Sequence, residues 1–196
     1  GVLQRFRYNG VYLDKMEADI AFQGFFQNFR NVRIEHPLGP ASAEDVFLND
    51  EEKWVRLTNV HAESDTATLL RCFAPKTADH IERYRLTHGT VVTVNGVIGI
   101  RDPKFNDYAV TFRKSDGVGH YELWHEDYTI HAPDGVVKIK DHMLSFDVKG
   151  RLFDRPFRAE GQTDLAPDVT HYDVDVTAGV FPYEVFGETL PFENVK

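Results

Sequence analysis

Hydrophobic and polar residues alternate along most of this chain. From Lys53, the pattern sets Val55, Leu57, Asn59 and His61 on one side and Trp54, Arg56, Thr58 and Val60 on the other. Side chains on a strand point alternately to opposite faces, so this spacing predicts half-buried β-strands. The same reading predicts strands over 66–73, 90–100, 136–140, 144–148 and 152–159, and over 171–177, where the alternation is nearly perfect. Tyr108, Val110 and Phe112 alternate with Ala109, Thr111 and Arg113 in another. Gly, Pro and Asp breaks separate these runs, and Asn95-Gly96, Asp134-Gly135 and Lys149-Gly150 read as hairpin turns.

Helical spacing is scarce. Residues 76–86 carry a Thr77 cap, an acidic first turn and Ile81 with Tyr84 on one face, and residues 42–45 could cap a turn or two before Asp50. Phe22, Phe25, Phe26 and Phe29 fit either an amphipathic helix or a bulged strand, so 11–29 stays open, while 32–36 reads as strand. The expected fold is mainly β: an antiparallel β-barrel or β-sandwich, calycin-like or OB-like, with one or two short helices. With 196 residues, no repeat and no linker, the chain reads as a single domain over 1–196, with 180–196 an irregular arm packing through Phe181, Phe186 and Phe192.

Composition narrows the partners. A formal net charge of −9 repels phosphate backbones, which disfavours nucleic acid as the main partner. Cys72 is the only cysteine, so no intrachain disulfide can form. No apolar run is long enough for a membrane-spanning helix and no leader pattern opens the chain, so a cytoplasmic location is favoured and no membrane partner is expected. Cys72, in an expected strand, reads as a buried thiol.

The densest chemistry lies between His120 and His131. Taken as one strand, it sets His120, Glu122, Trp124, Glu126 and Tyr128 on one face and Tyr121, Leu123, His125, Asp127, Thr129 and His131 on the other. Neither face is apolar, unlike an ordinary core strand. In an aromatic-lined barrel cavity, desolvation raises carboxylate pKa values and lowers those of imidazoles, so such groups are poised for proton transfer. The expected function is binding of a small, partly apolar organic molecule, extending to acid–base catalysis of the isomerase, cyclase or hydratase/dehydratase type. Glu122 or Glu126 would move the proton and His125 or His120 would partner it; Tyr121, Trp124, Asp127, Tyr128 and His131 would line the ligand. No cofactor is expected. The His-x-Glu and His-x-Asp spacings at 120/122 and 125/127 would need a third ligand, such as His142 or His61, to hold a metal ion. Asp168, Asp173 and Asp175 read as a solvated strand face rather than a calcium site.

Residues 66–118 resemble the single-strand-binding OB domains of replication protein A: Cys-Phe-Ala-Pro at 72–75, a short helix over 77–86, the Val/Thr-rich hairpin from Thr87, then Asn106 to Arg113. The resemblance implies a groove in which Phe105 and Tyr108 stack bases amid Arg101, Lys104 and Arg113. A calycin-type barrel, as in lipocalin-like binding proteins, suits the same strand count, although no Gly-x-Trp signature is present. A structural or assembly β-sandwich is a further alternative, and the aromatic arm favours a homo-oligomer.

Overall fold

The computed structural model describes residues 1–8, 10–37, 39–63, 71, 91–113, 118–123, 126–166 and 171–179, with the backbone alone for 8, 119–123, 126–128 and 171–172. Its strands are β1 (Val2–Tyr8), β2 (Val11–Gln23), β3 (Phe26–Glu35), β4 (Ala41–Asn49), β5 (Trp54–Ala62), β6 (Val91–Gly99), β7 (Asp107–Arg113), β8 (Val118–Leu123), β9 (Glu126–Lys140), β10 (Met143–Leu152), β11 (Arg155–Asp164) and β12 (His171–Ala178). All belong to one antiparallel sheet in the order β1-β2-β3-β4-β5-β6-β7-β9-β10-β11-β12, with β8 off this path against β9. The expectation of a mainly antiparallel β protein holds. The sheet is not closed into a barrel: among the described residues, β1 pairs only with β2 and β12 only with β11.

Several local expectations are corrected. Residues 42–45 lie within β4 and form no helical turn; a 3-10 turn at Pro103–Phe105 is the helical element among the described residues that spans more than a single position. The helix expected over 76–86, Cys72 and the arm from 180 onward lie outside the described residues. The phenylalanine stripe is a hairpin, with β2 and β3 joined through Gly24 at φ +59°.

All three glycine-containing turn signals fall inside strands. Asn95-Gly96 lies in β6, Asp134-Gly135 in β9 and Lys149-Gly150 in β10. Each glycine is there because a neighbouring strand comes too close for a side chain. A Cβ on Gly96 would sit 2.2 Å from the Asp107 carbonyl oxygen, and one on Gly135 2.4 Å from that of Asp147. A true turn is Phe153-Asp154, where both residues have positive φ (50° and 59°), as a tight two-residue hairpin requires.

Bulges break the alternation at defined points. At Asn59 (φ 48°) the register between β5 and β6 shifts, from Leu57 opposite Gly96 to Val60 opposite Val94. Asparagine tolerates this left-handed conformation. Here its amide N–H donates to Asn95 Oδ1 at 2.7 Å and its side chain to Glu44 Oε2 at 2.7 Å. The extra residue turns His61 outward, away from the buried Val55 and Leu57, and puts Ala62 in the core instead. Asn31 (φ 52°) does the same in β3 and is bonded to Asp19 at 2.8 Å.

The core is one-sided. Its buried apolar residues run from Val11 to Phe112, with Leu13, Val55, Val92 and Ile98 almost fully enclosed. From β9 onward the only buried residues among those described are Pro133 and Thr163. The apolar face continues, because the register aligns Tyr108, Ile139, Leu144 and Thr163 in one row and Val110, Val137, Phe146, Gly161 and Val174 in another. It simply loses its cover: Val137, Ile139 and Val148 still pack against the core, whereas Val176 on β12 is 64% exposed.

Candidate ligand groove

The 120–131 segment is not one strand. Its backbone forms a hairpin, β8 against β9, with His120 opposite Thr129, Tyr121 opposite Tyr128, Glu122 opposite Asp127 and Leu123 opposite Glu126. Trp124 and His125 lie outside the described residues. The fold therefore rearranges the faces read from sequence. By register, 120, 122, 127, 129 and 131 share one row of the hairpin and 121, 123, 126, 128 and 130 the other. Glu122 and Glu126 fall in opposite rows, not together.

The two extra ligands envisaged for a metal are not near the hairpin. His142 is in the turn at the far end of β9, on the order of 30 Å along the strand from His131. His61 is exposed on β5, with its Nδ1 2.9 Å from the Thr93 hydroxyl. Among the described residues no three His, Cys, Asp or Glu side chains converge as a metal set.

The strand partner of β9 changes at its bulge. Ala132 has φ 49°, and the register with β10 shifts from Lys149 opposite Asp134 to Arg151 opposite His131. On the other side of β9, the same point separates pairing with β8 (up to His131) from pairing with β7 (from Asp134). Pro133 has no N–H for the ladder, which suits a position where pairing is interrupted. A bulge adds local twist. Beside it lies an open groove of about 840 Å³.

Five strands supply its walls in one cross-strand row. Arg113 on β7 is opposite Asp134 on β9, Asp134 opposite Lys149 on β10, Lys149 opposite Arg158 on β11, and Arg158 opposite Thr177 on β12. Arg151 adds a fourth cation, and Ala132, Gly150, Pro156, Phe157 and Ala178 supply apolar surface. Gly150 is required here, since a Cβ would lie 2.9 Å from Ile130 Cγ2 and 3.0 Å from the His131 carbonyl.

The cations are not equally committed. Arg158 grips Asp147 through two 2.9 Å bonds and reaches Glu160 at 2.8 Å. The guanidinium hydrogen bonds hold the Asp147 carboxyl below its usual range, and Asp147 raises Arg158 in turn. Arg113 and Lys149 share Asp134 at 3.9 and 3.7 Å, and both are well exposed. Exposed pairs at such distances are weak. Arg151 has no carboxylate partner among the described residues. The groove thus holds positive charge open to a further acceptor, in a chain whose net charge is −9.

The sequence reading named Arg113, but only as a nucleic-acid contact. Its companion Tyr108 is not available for stacking on bases: it is buried in the core, and burial pushes its phenol up to about 12. Lys104 is held by Asp102 at 2.8 Å and lies over the Phe105 ring at 4.9 Å. Lys149, Arg151 and Arg158 carried no motif in the sequence; only strand register brings them together. Set against protein-family models, curated proteins and solved structures, the chain matches none.

Proposed function

We propose that the protein binds a small organic anion with an apolar body in the groove between β7 and β12. What supports this reading is the five-strand row that carries Arg113, Lys149 and Arg158, with Arg151 beside it, along a groove that Pro156, Phe157 and Ala178 also line. Guanidinium groups donate paired N–H bonds to a carboxylate, sulfonate or phosphate, and such charge-assisted bonds are the stronger class. Pro156, Phe157 and Ala178 would cover the apolar part. On this reading the sheet is a calycin-like barrel wall left open between β1 and β12, and the ligand sits on an accessible face rather than in a sealed cavity. His131 stands opposite Arg151, so the β8–β9 hairpin adjoins the groove. Any proton transfer to a bound ligand would draw on that hairpin, with Glu122 or Glu126 as the acid or base.

A pair of probes tests it. Anilinonaphthalene sulfonate and uncharged N-phenyl-naphthylamine share an aromatic body and differ in the anion. The sulfonate is expected to bind about tenfold more tightly or better, from one or more charge-assisted bonds. Arg113→Gln with Arg151→Gln should bring the two probes level, and added salt should do so in part. Equal affinities for both probes in the unmodified protein would rule the reading out.

A further inference from the structure

Among the described residues the sheet ends at β1 and β12, and these two edges are opposite in charge. β1 carries Arg5 and Arg7 and no acid; β12 carries Asp173 and Asp175 and neither Lys nor Arg. All four side chains are exposed, and none has an ion-pair partner among the described residues. Beside them lie uncovered apolar groups: Val2 and Leu3 on β1, and Val174 and Val176 on β12. An exposed edge with open N–H and C=O groups is a template for another strand unless Pro, Lys or a covering element blunts it. β12 contains neither Pro nor Lys.

We propose that β12 of one copy pairs with β1 of the next, so that the protein associates head to tail through its sheet edges. The choice of a second copy rests on charge. Pairing β1 with β1, or β12 with β12, sets like charges across the junction, which destabilises a ladder. Pairing β12 with β1 sets two arginines against two aspartates. Topology then determines the geometry of the seam. The path contains eleven strands, each antiparallel to its neighbour, so β1 and β12 run in the same direction. A seam that continues the sheet is therefore parallel, with evenly spaced, slanted hydrogen bonds. Such a contact joins two different surfaces, so it closes into a ring or continues as a filament. The association does not depend on the anion groove.

Charge reversal on each edge separates the outcomes. One variant carries Arg5→Glu with Arg7→Glu; the other carries Asp173→Lys with Asp175→Lys. Light scattering across a concentration series should show the unmodified protein gaining mass. Each variant alone should remain a monomer, with association weakened at least about tenfold. Mixing the two should restore assembly, because each reversed edge then meets its complement. Circular dichroism checks that these surface variants keep the native β signal. Four results would overturn the proposal: an unmodified protein that stays monomeric up to about 0.2 mM, well above micromolar affinities, an arginine variant that still associates alone, an aspartate variant that does so, or a mixture that fails to recover.

Discussion

Strands β2–β7 and strands β9–β12 are built from the same alternating pattern, yet among the described residues the buried core lies almost wholly in the first group. In β2–β7, Leu13, Val55, Val92 and Ile98 are sealed from water, and the outer face has further packing: Phe26, Phe47 and Trp54 stack across three strands at 5.8 and 5.7 Å, with Arg56 over Phe47 at 5.1 Å. In β9–β12 the apolar row persists but ends in Val174 and Val176, which remain open to water. Backbone pairing is no poorer in the second group: β10 and β11 pair at ten consecutive positions, whereas β4 and β5 pair at seven with a gap at Ala43 and Glu44. Hydrogen bonds alone contribute little net stability, because the unfolded chain bonds to water instead. Buried apolar area is therefore what separates the two regions, and β9–β12 should be the weaker.

The largest effect is expected at the best-buried positions. Leu13→Ala should cost about 3 kcal/mol, read from urea unfolding, as truncations in a sealed site do. Native-state hydrogen exchange should rank β2–β7 as the most protected strands. If β11 and β12 exchanged as slowly as β5 and β6, the contrast would be wrong.

Alkaline pH probes the core by a second route. Burial raises the Tyr108 phenol from about 10 to about 12. The folded state thus keeps the neutral form after the unfolded chain has begun to ionise. Its contribution is fully present below pH 10 and is lost as pH rises to 12, a change of about 2–3 kcal/mol. Tyr108→Phe should remove that slope while leaving the fold intact; an unaltered slope would show that the phenol is not its source.

Glycine substitutions sharpen the comparison further. Gly96→Ala meets the Asp107 carbonyl at 2.2 Å with φ at +123°, and should cost about 2 kcal/mol or more within the packed region. Gly161→Ala meets the Asp173 carbonyl at 2.4 Å, but β12 can move away from β11 without opening the core. It should raise exchange in β12 selectively and shift global unfolding much less. The smallest change is expected for Val176→Ala, within about 0.5 kcal/mol in a dilute monomer.

Much of this architecture was legible from alternation. β5, β6, β7 and β12 lie within a residue or two of the expected strands, because a half-buried sheet imposes period two on its sequence. The turn signals misled for a physical reason. Glycine meets two different needs, positive φ at a turn and close approach within a sheet, and Gly96, Gly135 and Gly150 meet the second. Phe153-Asp154 shows the converse, a positive-φ turn without glycine. Bulges were hidden as well: one extra residue at Asn59 reverses every later side chain, so His61, expected beside Leu57, faces outward.

The amino-acid sequence by itself determined that the protein is an antiparallel β structure and where charged and apolar residues fall along each strand. Those properties come from neighbours one and two residues apart. The tertiary structure decided which strands meet, and so which cations form a row. Arg113 and Arg158 are 45 residues apart in the chain, and only three successive pairings, through Asp134 and Lys149, bring them onto one groove. It also decided that the apolar face loses its cover toward β12, where Val174 and Val176 are exposed. Burial depends on what stacks against a face, and no local pattern contains that.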